Sequence, residues 1–291
     1  MKIELLNEKS FTDTVKKLKK DAHKGENGLL TAVCGSARYR GASAISVGAA
    51  MRTGCGIVRL ISVEKAVACV AVKHSGATFY PVSENKDGMM GKEAYAAIQQ
   101  SASSSTAFLC GCGLGISSET ASAVSAVASF STKTVFDADA LNIFAKCPDM
   151  LDAVKGEFIV TPHMGEMSRL TGKSIDEIKK DPIGAARELS LRYGCVTVLK
   201  DNEIYVSSEK GEVCKSTLGC EGLAKGGSGD ALAGFIAGFL ARGYTTYEAA
   251  KAGVVLHGLS AIALASEKGQ TAMLPEELEQ YAARVLKKLG Y

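Results

Sequence analysis

The sequence predicts an α/β fold with a mostly parallel central sheet and helices on both of its faces. Short apolar runs alternate with helical patterns along the chain, as in repeated β-α-β units. These runs are apolar throughout, which is typical of strands whose sheet is covered on both sides. No linker rich in Pro, Gly or Ser is long enough to divide the chain, so residues 1–291 are predicted to form one domain.

The first two predicted strands are LLTAVCG (29–35) and GIVRLISV (56–63). Between them, ASAISVGAAMRTG (42–54) reads as a helix of small residues that ends at a glycine. Four more strands follow, each next to a helical pattern. They are TAFLCG (106–111), KTVFDAD (133–139), EFIVTP (157–162) and CVTVLK (195–200).

The last third of the chain breaks this rhythm. EIYVSSEKGEVCKST (203–217) predicts two short strands around Lys210 and Gly211, which is the pattern of an antiparallel hairpin. Only helices are predicted after it, over residues 229–242, 247–266 and 275–289.

Composition excludes several classes of protein. The net charge is +3 and the chain has no basic stripe, so no nucleic-acid partner is expected. The N-terminal residues lack a signal-peptide core and no run of 18 apolar residues occurs, so no membrane association is expected. The nine cysteines include no CxxC pair and mostly lie in apolar runs, which indicates a reduced, cytoplasmic protein.

The most informative motif is GGSGD (226–230), directly before an apolar helix. Glycines at a helix N-terminus let a phosphate approach the unpaired backbone N–H groups. The alternative is a plain helix start with Ser228 as N-cap. Asp230 either complements the helix dipole or, beside a phosphate, takes a proton from an attacking hydroxyl.

Two familiar phosphate loops are excluded. GKS (172–174) resembles the end of a Walker A motif, but the earlier glycine is replaced by Met167. The dinucleotide pattern GxGxxG fails because its last glycine is replaced by Leu232. GCGLG (111–115) also follows a strand, where α/β proteins bind ligands, although the motif by itself favours a plain tight turn.

Two further motifs end strands. TPHMGE (161–166) supplies His163 and Glu166 as candidate ligands, the alternative being a proline-shaped turn with a helix-capping acid. DADALN (137–142) brings two carboxylates and an amide that suit Mg²⁺ or substrate, although helix capping also explains Asp139.

Two isolated residues have a structural and a functional interpretation. His257 lies in the middle of an apolar helix, where a buried, hydrogen-bonded core histidine is favoured over a ligand. Lys200 ends a strand, and it is either an exposed lysine or a charge partner for a nucleotide phosphate.

Taken in order, these motifs resemble the ADP- or ATP-dependent NAD(P)H-hydrate dehydratases. The resemblance runs from about residue 30 to the last helix and rests most on the stretch around Tyr39, on DADALN, on TPHMGE and on GGSGD. It implies a ribokinase-like fold. It also implies a stand-alone dehydratase, because the residues before the first predicted strand are too few for the epimerase domain that many members carry.

The resemblance implies a lyase that repairs hydrated nicotinamide. A nucleotide, ADP rather than ATP, would activate the added hydroxyl of the S form of hydrated NADH or NADPH, and release of phosphate would restore the ring. Mg²⁺ would be the cofactor, the adenine nucleotide a co-substrate, and the assembly a homotetramer.

The resemblance also implies roles for individual residues. Asp230 would be the base, and the backbone of Gly227, Ser228 and Gly229 would hold the transferred phosphoryl group. Glu166 would act on Mg²⁺ through water. The hydrate would contact Ala42, Gly113, Gly115, His163 and Asp230, and the nucleotide would contact Lys200, Asp201, Asn202, Glu203, Ile204 and Gly229.

Four positions depart from the family pattern. Cys112 replaces a proline, Cys220 and Glu221 replace Asn-Pro, and Asp201 replaces a glycine beside the expected nucleotide site. These departures bear on the nucleotide preference more than on the reaction. Two alternatives stay open because Asp230 and the glycine-rich loop would also serve other proteins of this fold. One is a small-molecule kinase of the same fold acting on a hydroxymethylpyrimidine- or thiazole-type alcohol, and the other is a nucleotide sensor without catalysis.

Overall fold

The computed structural model describes residues 3–291, and ten strands of this part of the chain form a single sheet. The strands are β1 (Glu4–Leu5), β2 (Leu29–Val33), β3 (Ile57–Val63), β4 (Thr78–Val82), β5 (Ala107–Cys110), β6 (Lys133–Phe136), β7 (Phe158–Val160), β8 (Val196–Lys200), β9 (Ile204–Ser207) and β10 (Val213–Ser216).

The sheet is mostly parallel, as predicted. Its strand order is β1-β10-β9-β8-β7-β6-β5-β2-β3-β4, and among the described strands β9 alone runs antiparallel to its neighbours. The predicted hairpin is therefore confirmed as β9 and β10. Val33 pairs with Cys110, Cys110 with Phe136, and Phe136 with Val160, so the loops that follow these strands emerge at one edge.

Thirteen α-helices occur in the described range, with two short 3₁₀ turns (Glu221–Leu223 and Pro275–Glu277). The helices are α1 (Glu8–Thr14), α2 (Arg40–Met51), α3 (Glu64–Lys73), α4 (Glu93–Ala102), α5 (Ser118–Ala128), α6 (Asp139–Lys146), α7 (Pro148–Asp152), α8 (Met164–Thr171), α9 (Ile175–Lys180), α10 (Pro182–Tyr193), α11 (Ser228–Ala241), α12 (Thr246–Lys268) and α13 (Leu278–Lys288).

Two apolar layers cover the sheet. Alternate strand residues such as Leu109 and Val135 face a core that includes α2, α11 and α12. Their neighbours Cys110 and Phe136 face a second core with α4, α5 and α6. Because both faces are buried, the central strands are mostly apolar at positions of both faces, with buried threonines such as Thr31 and Thr197 as exceptions, which explains the hydrophobic runs in the sequence.

Two strands escaped the sequence analysis. β4 is an edge strand with three of its five residues exposed and with Pro81 inside it, so it carries no continuous apolar run. β1 has two residues and pairs with β10 at the other edge.

α12 is long and apolar enough to span a membrane by length and composition. In this fold, however, 67% of its most apolar stretch is buried inside the protein. The helix packs against α11 and α13 as a core element.

Candidate active site

A cavity of about 730 Å³ opens at the edge of the sheet where the parallel strands end. Four residues predicted for the substrate site line it together: Ala42 at the start of α2, Gly113 and Gly115 after β5, and Asp230 in α11. His163 is not among the lining residues. The remaining lining residues are Ser36, Arg38, Tyr39, Asp87, Met89, Ile116, Ala138 and Asp139.

The GGSGD segment forms the start of α11. Gly227, and not Ser228, is the N-cap, and its φ of +106° is a conformation that glycine adopts without strain. A β-carbon at Gly227 would also lie 2.8 Å from the Ile45 side chain. Ser228 is the first helical residue, and its backbone N–H donates to the Lys225 carbonyl at 3.2 Å. The Ser228 amide is thus already engaged, whereas the Gly229 amide has no acceptor within the helix.

Asp230, the residue after Gly229, carries a half-buried carboxyl group. Burial and the nearby Asp137 carboxylate raise the pKa of Asp230 to about 6. The Cys112 thiol and the Lys200 ammonium oppose this rise. A carboxyl group with this pKa ionises near neutral pH and is a suitable general base.

Lys200 and Asp137 form an ion pair beside Asp230. Lys200 Nζ lies 2.7 Å from Asp137 Oδ1, and the side chains are 17% and 2% exposed. Burial lowers the pKa of Lys200, but the Asp137 and Glu166 carboxylates outweigh this and leave the pKa raised. A β-carbon built on Gly229 would lie 3.3 Å from Lys200 Nζ, so the ammonium adjoins the start of α11. The interpretation of Lys200 as an exposed lysine at the end of a strand is therefore wrong.

The glycine loop after β5 closes one wall of the cavity. Gly113 has a φ of +62°, and a β-carbon there would lie 2.7 Å from Ala42 Cβ and 2.8 Å from Tyr39 Cβ. Gly115 N–H donates to Asp139 Oδ2 at 2.8 Å, which links this loop to the start of α6. Asp139 thus fixes the loop in addition to opening a helix.

His163 and Glu166 form a capping box at the start of α8. His163 N–H donates to Glu166 Oε2 at 2.9 Å, and Gly165 N–H donates to His163 Nδ1 at 2.9 Å. Burial raises the pKa of Glu166 to about 7, against the effect of Lys200. The helix-capping interpretation of Glu166 is confirmed, and its carboxylate also belongs to the charged group around Lys200.

The residues predicted for the nucleotide lie in the turn between β8 and β9. Asp201 and Asn202 are exposed. Glu203 accepts hydrogen bonds from Tyr205 and Lys215, and the Ile204 side chain is buried in the core. Lys200 and Gly229 are brought together, whereas Ile204 lies in β9 and pairs with Lys200 on one side and with Ser216 on the other.

Three relationships at this edge were not predicted from the sequence. Ligand atoms of Cys112, Asp137 and Asp230 lie within 4.8 Å of one another. Met89 reaches the cavity from the segment after β4. His257 Nε2 lies 3.1 Å from the Ser228 carbonyl oxygen. Cys112 stands inside the GCGLG motif, whereas Met89 carries no local signal. The sequence favoured a buried, hydrogen-bonded histidine at position 257, which is confirmed, but it did not indicate Ser228 as the partner.

Two relatives with known names are similar to this chain in sequence. The ADP-dependent (S)-NAD(P)H-hydrate dehydratase of Neisseria meningitidis is 32% identical over 268 residues, which cover 91% of this chain and 86% of that protein. A bifunctional NAD(P)H-hydrate repair enzyme of Thermofilum pendens is 32% identical over 270 residues, 92% of this chain and 52% of that one. The chain thus spans about half the length of its bifunctional relatives.

Solved structures agree with the fold. The ADP/ATP-dependent NAD(P)H-hydrate dehydratase of Bacillus subtilis, co-crystallised with ATP and Mg²⁺, superposes with a TM-score of 0.87 at 27% identity over 99% of both chains. A ribokinase-like protein of Enterococcus faecalis superposes with a TM-score of 0.85 at 23% identity, over 99% of this chain and 96% of that one. The fold is therefore ribokinase-like, as the resemblance implied. The family model for NAD(P)H-hydrate dehydratase matches residues 30–284, and the chain belongs to this family.

Proposed function

We propose that the protein dehydrates the S form of hydrated NADH or NADPH, using ADP or ATP as phosphoryl donor and releasing phosphate. ADP is the expected donor, since the Neisseria relative is named ADP-dependent. The observation that carries the proposal is the position of Asp230. Its carboxyl group belongs both to the wall of the 730 Å³ cavity and to the first turn of α11.

The reaction proceeds in two steps. The added ring hydroxyl attacks the terminal phosphorus of the nucleotide, a new O–P bond forms, and the bond to the bridging oxygen breaks. Asp230 takes the hydroxyl proton. The C–O bond of the phosphorylated ring then breaks, phosphate leaves with that oxygen, and loss of a proton from the neighbouring carbon restores the double bond.

The start of α11 supports phosphoryl transfer. Its backbone N–H groups and the positive end of its dipole stabilise charge on the moving phosphoryl group. Gly227 and Gly229 let the phosphoryl group approach the backbone closely. The Ser228 N–H donates to the Lys225 carbonyl, so Ser228 shapes the loop and does not donate to the phosphoryl group. The Lys200 ammonium adjoins Gly229 and supplies the positive charge nearest to this amide.

The two substrates occupy neighbouring regions. In this proposal the hydrated ring binds in the cavity against Ala42, Gly113 and Gly115, which line it, and His163 is the one predicted hydrate contact outside that lining. The nucleotide is placed along Lys200, the backbone of residues 201–204, and Gly229. The exposed Asp201 faces solvent, so its charge is screened at this site.

Mg²⁺ is the expected cofactor. Asp137 and Glu166, the carboxylates beside Lys200, offer the oxygen ligands that Mg²⁺ prefers. Glu166 is buried, and within residues 3–291 its one ion-pair contact is His163 Nε2 at 3.5 Å. Burial lowers the pKa of His163, which favours the uncharged ring. These donors fit the ion, with Glu166 acting through water. When bound, Mg²⁺ supplies neutralisation of the nucleotide phosphates.

The proposal also includes the oligomeric state and the cellular location of the protein. A homotetramer is expected from the family resemblance. A reducing, cytoplasmic location is supported by the nine free cysteines, of which Cys69 and Cys147 are exposed.

A comparison of substrates tests the proposal. The protein is incubated with Mg²⁺ and ADP or ATP, and with either hydrated NADH or a hydroxymethylpyrimidine or thiazole alcohol. Regenerated NADH with an equal amount of phosphate supports the dehydratase. A stable phosphorylated alcohol without regenerated NADH would establish a kinase instead, and nucleotide binding without turnover would favour the sensor.

A further inference from the structure

His257 is buried in the middle of α12 and contacts the backbone of the GGSGD segment. Its Nε2 lies 3.1 Å from the Ser228 carbonyl oxygen, and its side chain is 4% exposed. A carbonyl oxygen accepts only, so Nε2 carries the proton and donates. This hydrogen bond joins the start of α11 to the middle of α12, between residues that are 29 positions apart in the sequence.

The ring is held in the neutral form. Burial lowers the pKa of His257 to about 4, although the hydrogen bond to Ser228 opposes this. Within residues 3–291, Nδ1 is buried and has no hydrogen-bond partner. Burying an unpaired nitrogen destabilises a fold, so an apolar side chain would serve packing alone better than histidine does.

The bonded carbonyl belongs to the peptide unit between Ser228 and Gly229. This unit is planar and trans, so its C=O and N–H groups point in opposite directions. A donor on the oxygen therefore fixes the direction of the Gly229 N–H. It also polarises the unit, which makes that N–H a stronger donor. The second lone pair of the Ser228 carbonyl oxygen stays available to accept a backbone hydrogen bond within α11.

We infer that His257 is a positioning residue for phosphoryl transfer: its Nε2–H orients and polarises the Ser228–Gly229 peptide so that the Gly229 amide is set toward the transferred phosphoryl group. This inference deepens the proposed function and rests on it. Lys225 secures the preceding residues, since Nζ donates to the carbonyls of Thr271 and Met273 at 2.6 and 2.7 Å. The segment is thus held from both sides.

Three variants test the assignment. His257→Leu removes the donor, His257→Gln keeps a side-chain N–H of similar reach, and Phe235→Leu perturbs packing next to the same ring, whose centroid is 6.5 Å away. The readouts are kcat, KM for the hydrate, the Kd of ATP by calorimetry, and thermal stability.

His257→Leu is expected to lower kcat by about 10-fold to 100-fold, the scale of a misoriented reacting group, with KM for the hydrate nearly unchanged. Its Kd for ATP should rise by up to about 10-fold, the scale of one lost hydrogen bond. His257→Gln should recover most of the wild-type kcat and most of the wild-type affinity for ATP. Phe235→Leu should lower the thermal stability and leave kcat and the Kd of ATP nearly unchanged. Equal behaviour of the two leucine variants, or no recovery by glutamine, would overturn the inference. Because ATP binding requires no turnover, an inactive wild-type protein would refute the proposed function and still leave the Kd comparison decisive.

Discussion

The Lys200 ammonium donates a 2.7 Å hydrogen bond to the Asp137 carboxylate, and the pair lies next to Asp230. Lys200 comes from the end of β8 and Asp137 from the residue after β6, so the sheet brings together two charges that are 63 positions apart. The two partners act on Asp230 in opposite directions. Burial raises the pKa of Asp230 most, Asp137 adds to this rise and Lys200 opposes it, so the charge state of the candidate base depends on this pair as well as on burial.

Activity should depend on pH through Asp230. The base is competent only when ionised, and its pKa is raised to about 6. kcat/KM for the hydrate should therefore rise about tenfold per pH unit below pH 6 and level off above it. A profile of initial rates between pH 5 and 8.5 checks this. An acidic limb centred near pH 4, the ordinary range of an aspartate, would contradict the assigned role.

Asp230→Asn should separate activity from stability. Loss of the base should lower turnover by about 10²–10⁴-fold while nucleotide binding persists. The folded pKa of Asp230 lies above its unfolded value, so its contribution to stability is full at low pH and is lost as pH rises through about 6. At pH 8 the variant should thus be more stable by up to about 3 kcal/mol, at 1.36 kcal/mol per pKa unit. Denaturant unfolding at pH 8 and pH 4 measures this, and near-normal turnover would refute the account of Asp230.

Lys200→Met should destabilise the protein and shift the activity profile. It leaves the Asp137 carboxylate buried without its ammonium partner, which costs about 3–5 kcal/mol in comparable pairs. It also raises the pKa of Asp230, so the acidic limb should move to higher pH. The double variant with Asp137→Asn removes both charges and should recover part of the stability and move the limb back. Additive losses in the double variant would show that the pair is not coupled.

Gly113→Ala should damage the cavity through backbone strain and through close contacts of the new β-carbon. Gly172→Ala is the matched control, because it introduces only the backbone strain. Gly172 has a φ of +74°, close to the +62° of Gly113, but a β-carbon there meets nothing within 4 Å. Gly172→Ala should therefore cost only the backbone strain, about 1 kcal/mol, and leave KM unchanged. Gly113→Ala adds contacts below 3 Å with Ala42 and Tyr39, and should raise KM for the hydrate at least about tenfold. Equal effects of the two variants on KM would contradict the assignment of this wall to the substrate.

The sequence predicted most of the sheet because the central strands are buried on both faces. Their unbroken apolar runs are visible without knowledge of their neighbours. β4 was missed because its exposure and its Pro81 remove that signal. The N-cap of α11 was assigned to Ser228 among the alternatives, whereas the φ of +106° at Gly227 makes glycine the cap.

The site was predictable only in part. Strand-end motifs indicated Asp137, Glu166 and Lys200 because parallel strands end at one edge, and the glycine-rich helix start indicated Asp230. Their pairings were not predictable, since the register of the sheet and the packing of α11 against α12 decide them. The contact of His257 with Ser228 is of this kind: the sequence shows a histidine in an apolar helix, and only the fold places a backbone carbonyl above it.

The path of one oxygen atom tests the central claim most directly. Hydrated NADH carrying ¹⁸O in its added hydroxyl is turned over with Mg²⁺ and ADP or ATP, and the released phosphate is analysed by mass spectrometry. Attack of this hydroxyl on the terminal phosphoryl group, with Asp230 as base, predicts one ¹⁸O atom in each phosphate released per NADH formed. Unlabelled phosphate, with the label recovered in water, would show that the hydroxyl is never phosphorylated and would contradict the account.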